Sequence, residues 1–431
     1  MAAQQESWEG RDLPPISRTE VLARRLAARW LLPIDGDPIQ WGAILIGPEG
    51  RLQAVGADRD VPRPSGVPAV TLDHAALLPG FINTHTHLEL TGLEGQVREP
   101  EFATWIRELR ELKATRTPAQ FLEAARRGLT DCYAAGITTV ADTGDSGAVA
   151  VALSESGGSG VAYQEVFGPH PDQAAASLAQ LQSRVGELRR LGTGRLRIGV
   201  SPHAPYTVSG RLFRLVADWA RVEQLPVAVH IAESPAEKQF LLTGAGPFAA
   251  AWEARGIPLP QSRGMTPIQW LATHGILSDR CLCIHVVQAD ASDLRQLADG
   301  GAAVAHCPRS NAAHHHGAAP LAALLQAGIR VGLGTDSVVS VERLDLLAEA
   351  RAAGELAAIS PEALLHLCTL GGAQALGLGD ETGSFVTGKW ADCVAIRVPD
   401  DDRTIAQRVL ASSPSDVLMT YLGGKEVYRS G

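Results

Sequence analysis

Eight short apolar runs, alternating with helix-length segments, constrain the fold of this chain more than any other feature. They occupy residues 77–83, 137–142, 161–167, 196–200, 226–230, 281–285, 302–306 and 329–333. Each run has the length and the flanking turn residues of a buried strand. Segments rich in Ala, Leu, Arg and Glu separate most of them and predict helices, for example over residues 118–135, 174–191 and 211–223. Eight β/α units in about 300 residues favour a closed, TIM-type (β/α)8 barrel over an open doubly wound α/β sheet.

The two ends of the chain predict a second, smaller unit. Residues 20–72 contain short apolar pieces interrupted by Gly and Pro, and residues 383–428 have the same character. Neither stretch is long enough to enclose its own core, so we expect both to build one β-sandwich. The expected organisation is a flexible leader, the first part of the sandwich, the barrel and the second part of the sandwich, over residues 1–17, 18–75, 76–378 and 379–431.

Charge and composition exclude several classes of function. The 431 residues carry a formal net charge of -9, and no cluster of Lys and Arg offsets it locally. This balance argues against nucleic acids and anionic membranes as partners. No apolar run is long enough to span a membrane, the N-terminus lacks the features of a secretory signal, and no Cys-x-x-Cys occurs. We therefore expect a cytoplasmic protein with a small-molecule substrate, as a monomer or a homodimer.

Two histidines follow the first predicted barrel strand. His85 and His87 are two residues apart, so on a strand their side chains share one face. Two neutral imidazoles at the mouth of a strand can hold one divalent metal. A His-x-His pair also arises often by chance, so the metal hypothesis depends on what the other strands carry.

Polar residues follow the later strands at the same end of the predicted barrel. They are His203 after the fourth strand, His230 and Glu233 at the fifth, His285 at the sixth and Asp336 after the eighth. Each has a structural alternative, because a lone histidine at a strand end is commonly a hydrogen-bonded core residue and an aspartate can cap the next helix. A (β/α)8 barrel places its active site at the C-terminal ends of its strands. The occurrence of all these polar residues at the C-terminal strand ends therefore favours a functional site over separate structural roles.

These motifs together resemble the amidohydrolase superfamily, in particular its branch of metal-dependent ring deaminases and chlorohydrolases. The similarity is carried by His85-x-His87, His230-x-x-Glu233, His285 and the Gly-Leu-Gly-Thr-Asp-Ser run over residues 332–337. Residues 201–207, 307–311 and 388–392 add further matches, so the resemblance extends over roughly residues 40–430. It implies a distorted (β/α)8 barrel that binds metal and is flanked by a β-sandwich, in agreement with the strand count.

The resemblance implies that His85, His87, His230 and Asp336 are the metal ligands. Three nitrogens and one carboxylate leave a position open for water, as a catalytic metal requires. Zinc is the expected metal and iron the second choice. Two-metal members of the superfamily carry a carboxylated lysine at the end of the fourth strand. This chain has Ser201-Pro-His203 there, so we expect one metal.

The same resemblance implies a division of catalytic roles. Asp336 accepts a proton from the attacking water, Glu233 protonates the ring nitrogen, and His285 holds the water and the tetrahedral centre. We expect His203 and Asn311 to contact the substrate.

The pocket walls are expected just beyond the first barrel strand. Leu88, Leu90, Phe102 and Trp105 are candidates to clamp a planar ring, and Glu89 is a candidate to bind its polar groups. The segment 101–106 is predicted as a lid over the ring, with an amphipathic surface helix as the alternative. Residues 244–269 are either a second lid insertion or a long connection, and we expect His314, His315 and His316 to lie in a solvated loop.

The expected substrate is an adenosine-type nucleoside. The His-Leu-Glu-Leu motif at residues 87–90 and the Phe102-x-x-Trp105 motif resemble those of deaminases that act on aminofutalosine-like nucleosides. A chlorohydrolase or an amide hydrolase of the same fold is the first alternative, and a non-catalytic binding protein on this scaffold is the second. Glu233 favours deamination, because protonating a ring nitrogen requires a general acid.

Overall fold

Two β-sheets organise the part of the chain that the computed structural model describes, which is residues 23–260 and 264–431. The expected leader at residues 1–17 lies outside it. The N-terminal strands are β1 (Arg24–Leu31), β2 (Ile39–Ile46), β3 (Leu52–Ala57) and β4 (Ala69–Pro79). The central strands are β5 (Phe81–Thr86), β6 (Ile137–Gly144), β7 (Ser159–Val166), β8 (Leu196–Pro202), β9 (Val227–Ile231), β10 (Cys281–His285), β11 (Ala303–His306) and β12 (Val331–Leu333). The C-terminal strands are β13 (Cys393–Arg397), β14 (Val417–Leu422) and β15 (Lys425–Arg429).

The central strands form the predicted parallel barrel. β5 to β12 lie side by side in chain order, and a parallel bridge between Thr86 and Asp336 joins the first strand to the segment after the last. The barrel is distorted between β8 and β9, which pair only at Val200 and Val227. All eight predicted strands are present, and the (β/α)8 architecture is confirmed.

The first of these strands differs from its prediction, because the apolar run 77–83 is divided at Gly80. Leu78 belongs to β4 and pairs with Val394 of β13, outside the barrel. Phe81 is the first residue of β5 and begins the barrel. A Cβ at Gly80 would lie 2.2 Å from Thr138 Oγ1, so only glycine fits where the chain crosses between the two sheets. The predicted boundary between residues 75 and 76 therefore falls within β4.

The other sheet combines both ends of the chain. Its strand order is β15-β14-β13-β4-β1-β2-β3, with β1 and β4 parallel and the other neighbours antiparallel. Leu52 of β3 and Tyr421 of β14 belong to the same buried apolar cluster although their strands stand near opposite ends of this order. The sheet thus folds over on itself into the expected sandwich.

Helices alternate with the barrel strands and cover them. The structure has α1 (Phe102–Lys113), α2 (Pro118–Ala134), α3 (Ala148–Ser156), α4 (Ala174–Arg189), α5 (Gly210–Glu223), α6 (Pro235–Thr243), α7 (Pro247–Glu253), α8 (Pro267–Thr273), α9 (Ala291–Asp299), α10 (Pro308–Ala313), α11 (Leu321–Gln326), α12 (Val338–Val341), α13 (Leu346–Leu356), α14 (Pro361–Leu367), α15 (Leu370–Ala375) and α16 (Ile405–Leu410). The predicted helices over 118–135, 174–191 and 211–223 correspond to α2, α4 and α5. Among the described residues, no helix is both long and apolar enough to cross a membrane.

A buried ion pair ties the sandwich to the barrel. Arg195, just before β8, places Nη2 2.6 Å from Asp392 Oδ2, and the Asp392 side chain has no exposed surface. The same carboxylate accepts hydrogen bonds from Thr382 Oγ1 and from the Gly423 amide. Every lone pair direction of this buried charge is therefore used, which is the condition under which such a pair is tolerated.

We predict that Asp392→Asn lowers the free energy of unfolding by about 3 kcal/mol, because it leaves the Arg195 guanidinium buried without its counter-charge. Urea denaturation followed by circular dichroism measures the change. The control is Asp218→Asn, which removes one partner of the exposed Arg221–Asp218 pair and should cost less than about 1 kcal/mol. Equal stability of the two variants would contradict the role of Asp392.

Candidate active site

Three histidines converge at the C-terminal mouth of the barrel. β5 is buried along its whole length and delivers His85, and His87 follows at its end. His230, near the end of β9, places its ring centroid 4.9 Å from that of His85 and 5.4 Å from that of His87. The three imidazoles thus meet at the C-terminal strand ends, where the sequence predicted them.

Asp336, which follows β12 and pairs with the end of β5, completes this group. Its Oδ1 lies 3.5 Å from Nε2 of His85 and 3.5 Å from Nε2 of His87. The carboxylate is fixed by the Ser337 amide, which donates to Oδ1 at 2.7 Å, and by Ser310 Oγ, which donates to Oδ2 at 2.5 Å. Asp336 has a positive φ of 61°, a conformation that costs energy for a non-glycine residue and is typical of functional sites.

The chemistry of these side chains fits a divalent metal. Nδ1 of His87 donates to the Thr143 carbonyl at 2.7 Å, which leaves its Nε2 lone pair free to face Asp336. Both ring nitrogens of His85 and Nδ1 of His230 are buried without a hydrogen-bond partner among the described residues. Burial lowers the pKa of His87 to about 3 and that of His230 well below its usual value. Neutral, unpartnered imidazoles beside a carboxylate are what a metal such as zinc binds.

Glu233 stands next to this cluster, in surroundings that favour its protonated form. Its side chain is buried, and burial, then the charges of Asp336 and Glu237, raise its pKa well above the usual value. Tyr206 donates its hydroxyl to Oε2 at 3.3 Å. The Glu233 amide donates to Glu237 Oε2 at 2.8 Å, which fixes the backbone. A carboxyl group with a raised pKa is suited to deliver a proton to a bound substrate.

His285 links Glu233 to Asp336. Its Nε2 lies 3.6 Å from Glu233 Oε1 and 4.0 Å from Asp336 Oδ2. Nδ1 donates to Asn311 Oδ1 at 2.9 Å, which orients the ring and leaves Nε2 as an acceptor. Asn311 was expected to bind substrate, but the structure places it behind His285 and outside the cavity lining. It is a positioning residue in this arrangement.

An open cavity of about 700 Å³ leads to these residues. Trp105, Phe102, Leu90 and His203 line it, as the sequence predicted. The two alternatives for residues 101–106 are both correct in part, because they belong to the amphipathic helix α1 and this helix covers the cavity. Trp105 is its buried residue and stacks on Phe102 with ring centroids 6.0 Å apart.

Glu89 departs from its predicted position. It does not line the cavity, and its carboxylate is instead occupied by Lys113, whose Nζ lies 2.7 Å from Oε1, and by the Ser146 hydroxyl. The side chain is 1% exposed. An apolar sequence environment on both sides of Glu89 gave no sign that a lysine in α1 would reach it.

The three consecutive histidines do not form a solvated loop as expected. His315 is exposed, but His314 lines the cavity and His316 is buried. Nδ1 of His316 lies 3.7 Å from Glu233 Oε1. Their burial has a physical cause in α1, because Phe102 packs edge-on against His316 at 4.4 Å and Trp105 against His314 at 4.6 Å.

Several cavity residues were absent from the sequence prediction, and two of them carry polar groups near Glu233 or the histidines. Tyr206 and Glu165 both line the cavity, and burial raises the pKa of Glu165 to about 8. A charged residue at the end of an otherwise apolar strand, as in the run 161–167, was the available signal for Glu165.

Part of the long stretch 244–269 supports the cavity wall from behind. Phe248 of α7 stacks on Tyr206 with ring centroids 4.0 Å apart, and Trp252 Nε1 donates to the Tyr206 carbonyl at 2.7 Å. Residues 261–263 of this stretch are outside the described part. The segment therefore holds Tyr206, and through it Glu233, in place.

Comparisons with known proteins give a consistent result. Residues 76–427 match the model of the amidohydrolase family. An aminodeoxyfutalosine deaminase of Deinococcus radiodurans is 33% identical over 323 residues, which cover 70% of this chain and 74% of that protein. A 5-methylthioadenosine/S-adenosylhomocysteine deaminase of Teredinibacter turnerae is 30% identical over 382 residues, covering 84% and 81%. A zinc-bound adenosine deaminase of Xanthomonas campestris superposes with a TM-score of 0.82 at 25% identity, covering 94% of this chain and 93% of that one.

We predict one zinc or iron ion per chain, because the ligand cluster offers three imidazoles and one carboxylate without a bridging lysine. Elemental analysis of the purified protein measures the stoichiometry. His230→Ala should lose the metal, whereas the control His314→Ala, which changes a cavity histidine outside the cluster, should keep it. Two tightly held ions, or none after reconstitution with zinc, would show that the interpretation is wrong.

Proposed function

The chain belongs to the amidohydrolase family, and we propose that it is a metal-dependent hydrolytic deaminase of 6-aminopurine nucleosides, with an aminofutalosine-like nucleoside as its substrate. The observation that carries this proposal is the position of Glu233, a buried carboxylic acid beside the metal-ligand cluster in a cavity with aromatic walls. The names of the two curated relatives support the nucleoside class, and the zinc-bound adenosine deaminase supports zinc as the metal.

His85, His87, His230 and Asp336 are the residues that would hold the zinc. A divalent metal in such a site supplies Lewis acidity, which lowers the pKa of a water molecule toward neutrality. Thr143 and Ser310 contribute by hydrogen-bonding His87 and Asp336, because fixed ligands need no reorganisation when the metal binds.

The side chains around the open position divide the proton transfers. Asp336 accepts a proton from the water that attacks the amino-bearing carbon, and Glu233 gives its proton to the adjacent ring nitrogen. His285, held by Asn311, accepts a hydrogen bond through Nε2 and so orients the attacking water. When the carbon–nitrogen bond breaks, the proton that Asp336 took from the water passes to the amino group, which leaves as ammonia. The hydroxyl of the tetrahedral centre gives its proton to Glu233, and the ring keeps the new oxygen as a carbonyl. Water and the nucleoside are the only reactants, so atoms and charge balance.

The competing functions differ in what they require of Glu233. Release of chloride needs no protonation of an amine, and a non-catalytic protein needs no acid at all. A glutamate buried at 4% exposure with a raised pKa is costly to maintain unless its proton is used. A homodimer and a cytoplasmic location are further expectations, and light scattering of the purified protein distinguishes a dimer from a monomer.

We predict that Glu233→Gln lowers kcat by about 10² to 10⁴-fold while the metal content stays unchanged, because an amide can hydrogen-bond but cannot donate the required proton. Steady-state ammonia release with a 6-aminopurine nucleoside measures the loss. His285→Asn should also keep the metal and slow the chemical step. Glu253→Gln, an exposed glutamate on α7, serves as the control and should behave as the wild type. Near-normal turnover by Glu233→Gln would exclude the proposed acid.

We also predict that the zinc-loaded enzyme converts 6-aminopurine nucleosides and releases one ammonia per nucleoside, with a 5′-modified adenosine preferred over free adenine. The reason is that the ring must present a carbon bearing an amino group next to a nitrogen that Glu233 can protonate. Loss of the adenine absorbance and an ammonia assay measure the reaction. The proposal fails if such enzyme ignores every aminopurine nucleoside yet hydrolyses a chlorinated triazine or a non-aromatic amide.

A further inference from the structure

Glu165 is a buried carboxylate in the cavity wall that the proposed reaction does not use. It is the penultimate residue of β7, it is 6% exposed, and it lines the same cavity as Glu233. Its Oε1 has no hydrogen-bond partner among the described residues. Buried polar oxygens are almost always partnered, so an orphan one that faces a substrate cavity indicates a ligand that donates hydrogen bonds.

The nearest cation does not satisfy this carboxylate. Lys113 Nζ is 2.7 Å from Glu89 Oε1 and 2.8 Å from Asp145 Oδ1, so its donors are directed to those two acids. No hydrogen bond joins Lys113 to Glu165 among the described residues, so the carboxyl group of Glu165 remains available to a ligand in the cavity.

The position of Glu165 differs from that of Glu233 around the bound ring. Glu233 approaches His285 and His316, whereas a carboxylate oxygen of Glu165 lies within 4.8 Å of ring nitrogens of His203 and His230. Glu165 is thus near the reaction centre but on the side of the cavity that His203 and Lys113 line. In a purine nucleoside the sugar is attached to the five-membered ring and the amino group to the six-membered ring. Only a few bonds separate the sugar from the amino-bearing carbon, so a residue near the reaction centre can reach the sugar.

We infer that Glu165 binds the vicinal 2′- and 3′-hydroxyls of the nucleoside sugar, an inference that rests on the proposed function. A carboxyl group offers two oxygens at the spacing of two adjacent hydroxyls, and each hydroxyl can donate a hydrogen bond to them or accept one from them. A free nucleobase would leave the buried Oε1 without a partner, so the same contact selects nucleosides over bases. Glu165 acts in this scheme as a specificity-determining residue and takes no part in the proton transfers.

The test compares adenosine with 2′,3′-dideoxyadenosine, which differ only in the two hydroxyls. We expect Glu165→Gln to lower kcat/KM for adenosine by about 10- to 100-fold, the range for leaving a buried hydrogen-bonding group without its partner. For the dideoxy substrate the same variant should change kcat/KM by less than about threefold. The control is Glu89→Gln, which alters a carboxylate of the same acidic cluster that does not line the cavity. It should change both substrates by the same factor.

Several outcomes would overturn the inference. One is an equal loss on both substrates in Glu165→Gln, and another is a wild type that uses both with the same kcat/KM, a comparison that needs no variant to fold. A third is a wild type with two metals per chain that Glu165→Gln reduces to one, because Glu165, His203 and His230 would then form a second metal site. A metal-loaded wild type that deaminates no aminopurine nucleoside instead defeats the proposed function itself. Activity on nucleosides without discrimination of their hydroxyls defeats only the role of Glu165.

Discussion

The seam that closes the barrel is the interaction on which the active site depends. The Asp336 amide donates to the His85 carbonyl at 3.0 Å, and the Thr335 amide donates to Asn83 Oδ1 at 3.0 Å. A Cβ at Gly334 would lie 2.8 Å from the His85 amide nitrogen, so the segment after β12 can approach β5 this closely only with glycine there. Barrel closure and assembly of the metal ligands are therefore one structural event, which joins residues about 250 positions apart.

The pKa values of two neighbouring carboxyl groups in this site, Asp336 and Glu233, are shifted in opposite directions. Burial acts on both, but the imidazoles of His85, His285 and His87 that face Asp336 stabilise its ionised form and bring its pKa well below the usual value. Glu233 accepts a hydrogen bond from the Tyr206 hydroxyl at 3.3 Å, but burial, followed by the charge of Asp336, raises its pKa. The pKa of Glu233 thus depends on Asp336, since an ionised Asp336 opposes ionisation of Glu233. One site consequently contains one carboxyl group suited to accept a proton and another suited to donate one.

The sequence predicted those features that depend on local periodicity. Apolar runs identified the eight strands, strand parity placed His85 and His87 on one face, and the position of His230 at the end of its own strand placed it at the same rim. It did not predict the division at Gly80, since the apolar pattern continues across the point where the chain changes sheets. Glu89 and His316 were misplaced for another reason. Their partners, Lys113 and Phe102, lie on α1, and no local pattern indicates which side chains a helix will cover.

Helix α1 also connects substrate binding to acid catalysis. Its inward face supplies Trp105 to the cavity wall, and Phe102 of the same face packs against His316, whose Nδ1 lies 3.7 Å from Glu233 Oε1. Phe248 contacts both Phe102 and Tyr206, so a second aromatic path runs from the helix to the hydroxyl that hydrogen-bonds Glu233. Because burial is the main cause of the raised pKa of Glu233, displacement of α1 would both widen the cavity and admit water to the acid. The packing that encloses the substrate is thus the packing that keeps the proton on Glu233.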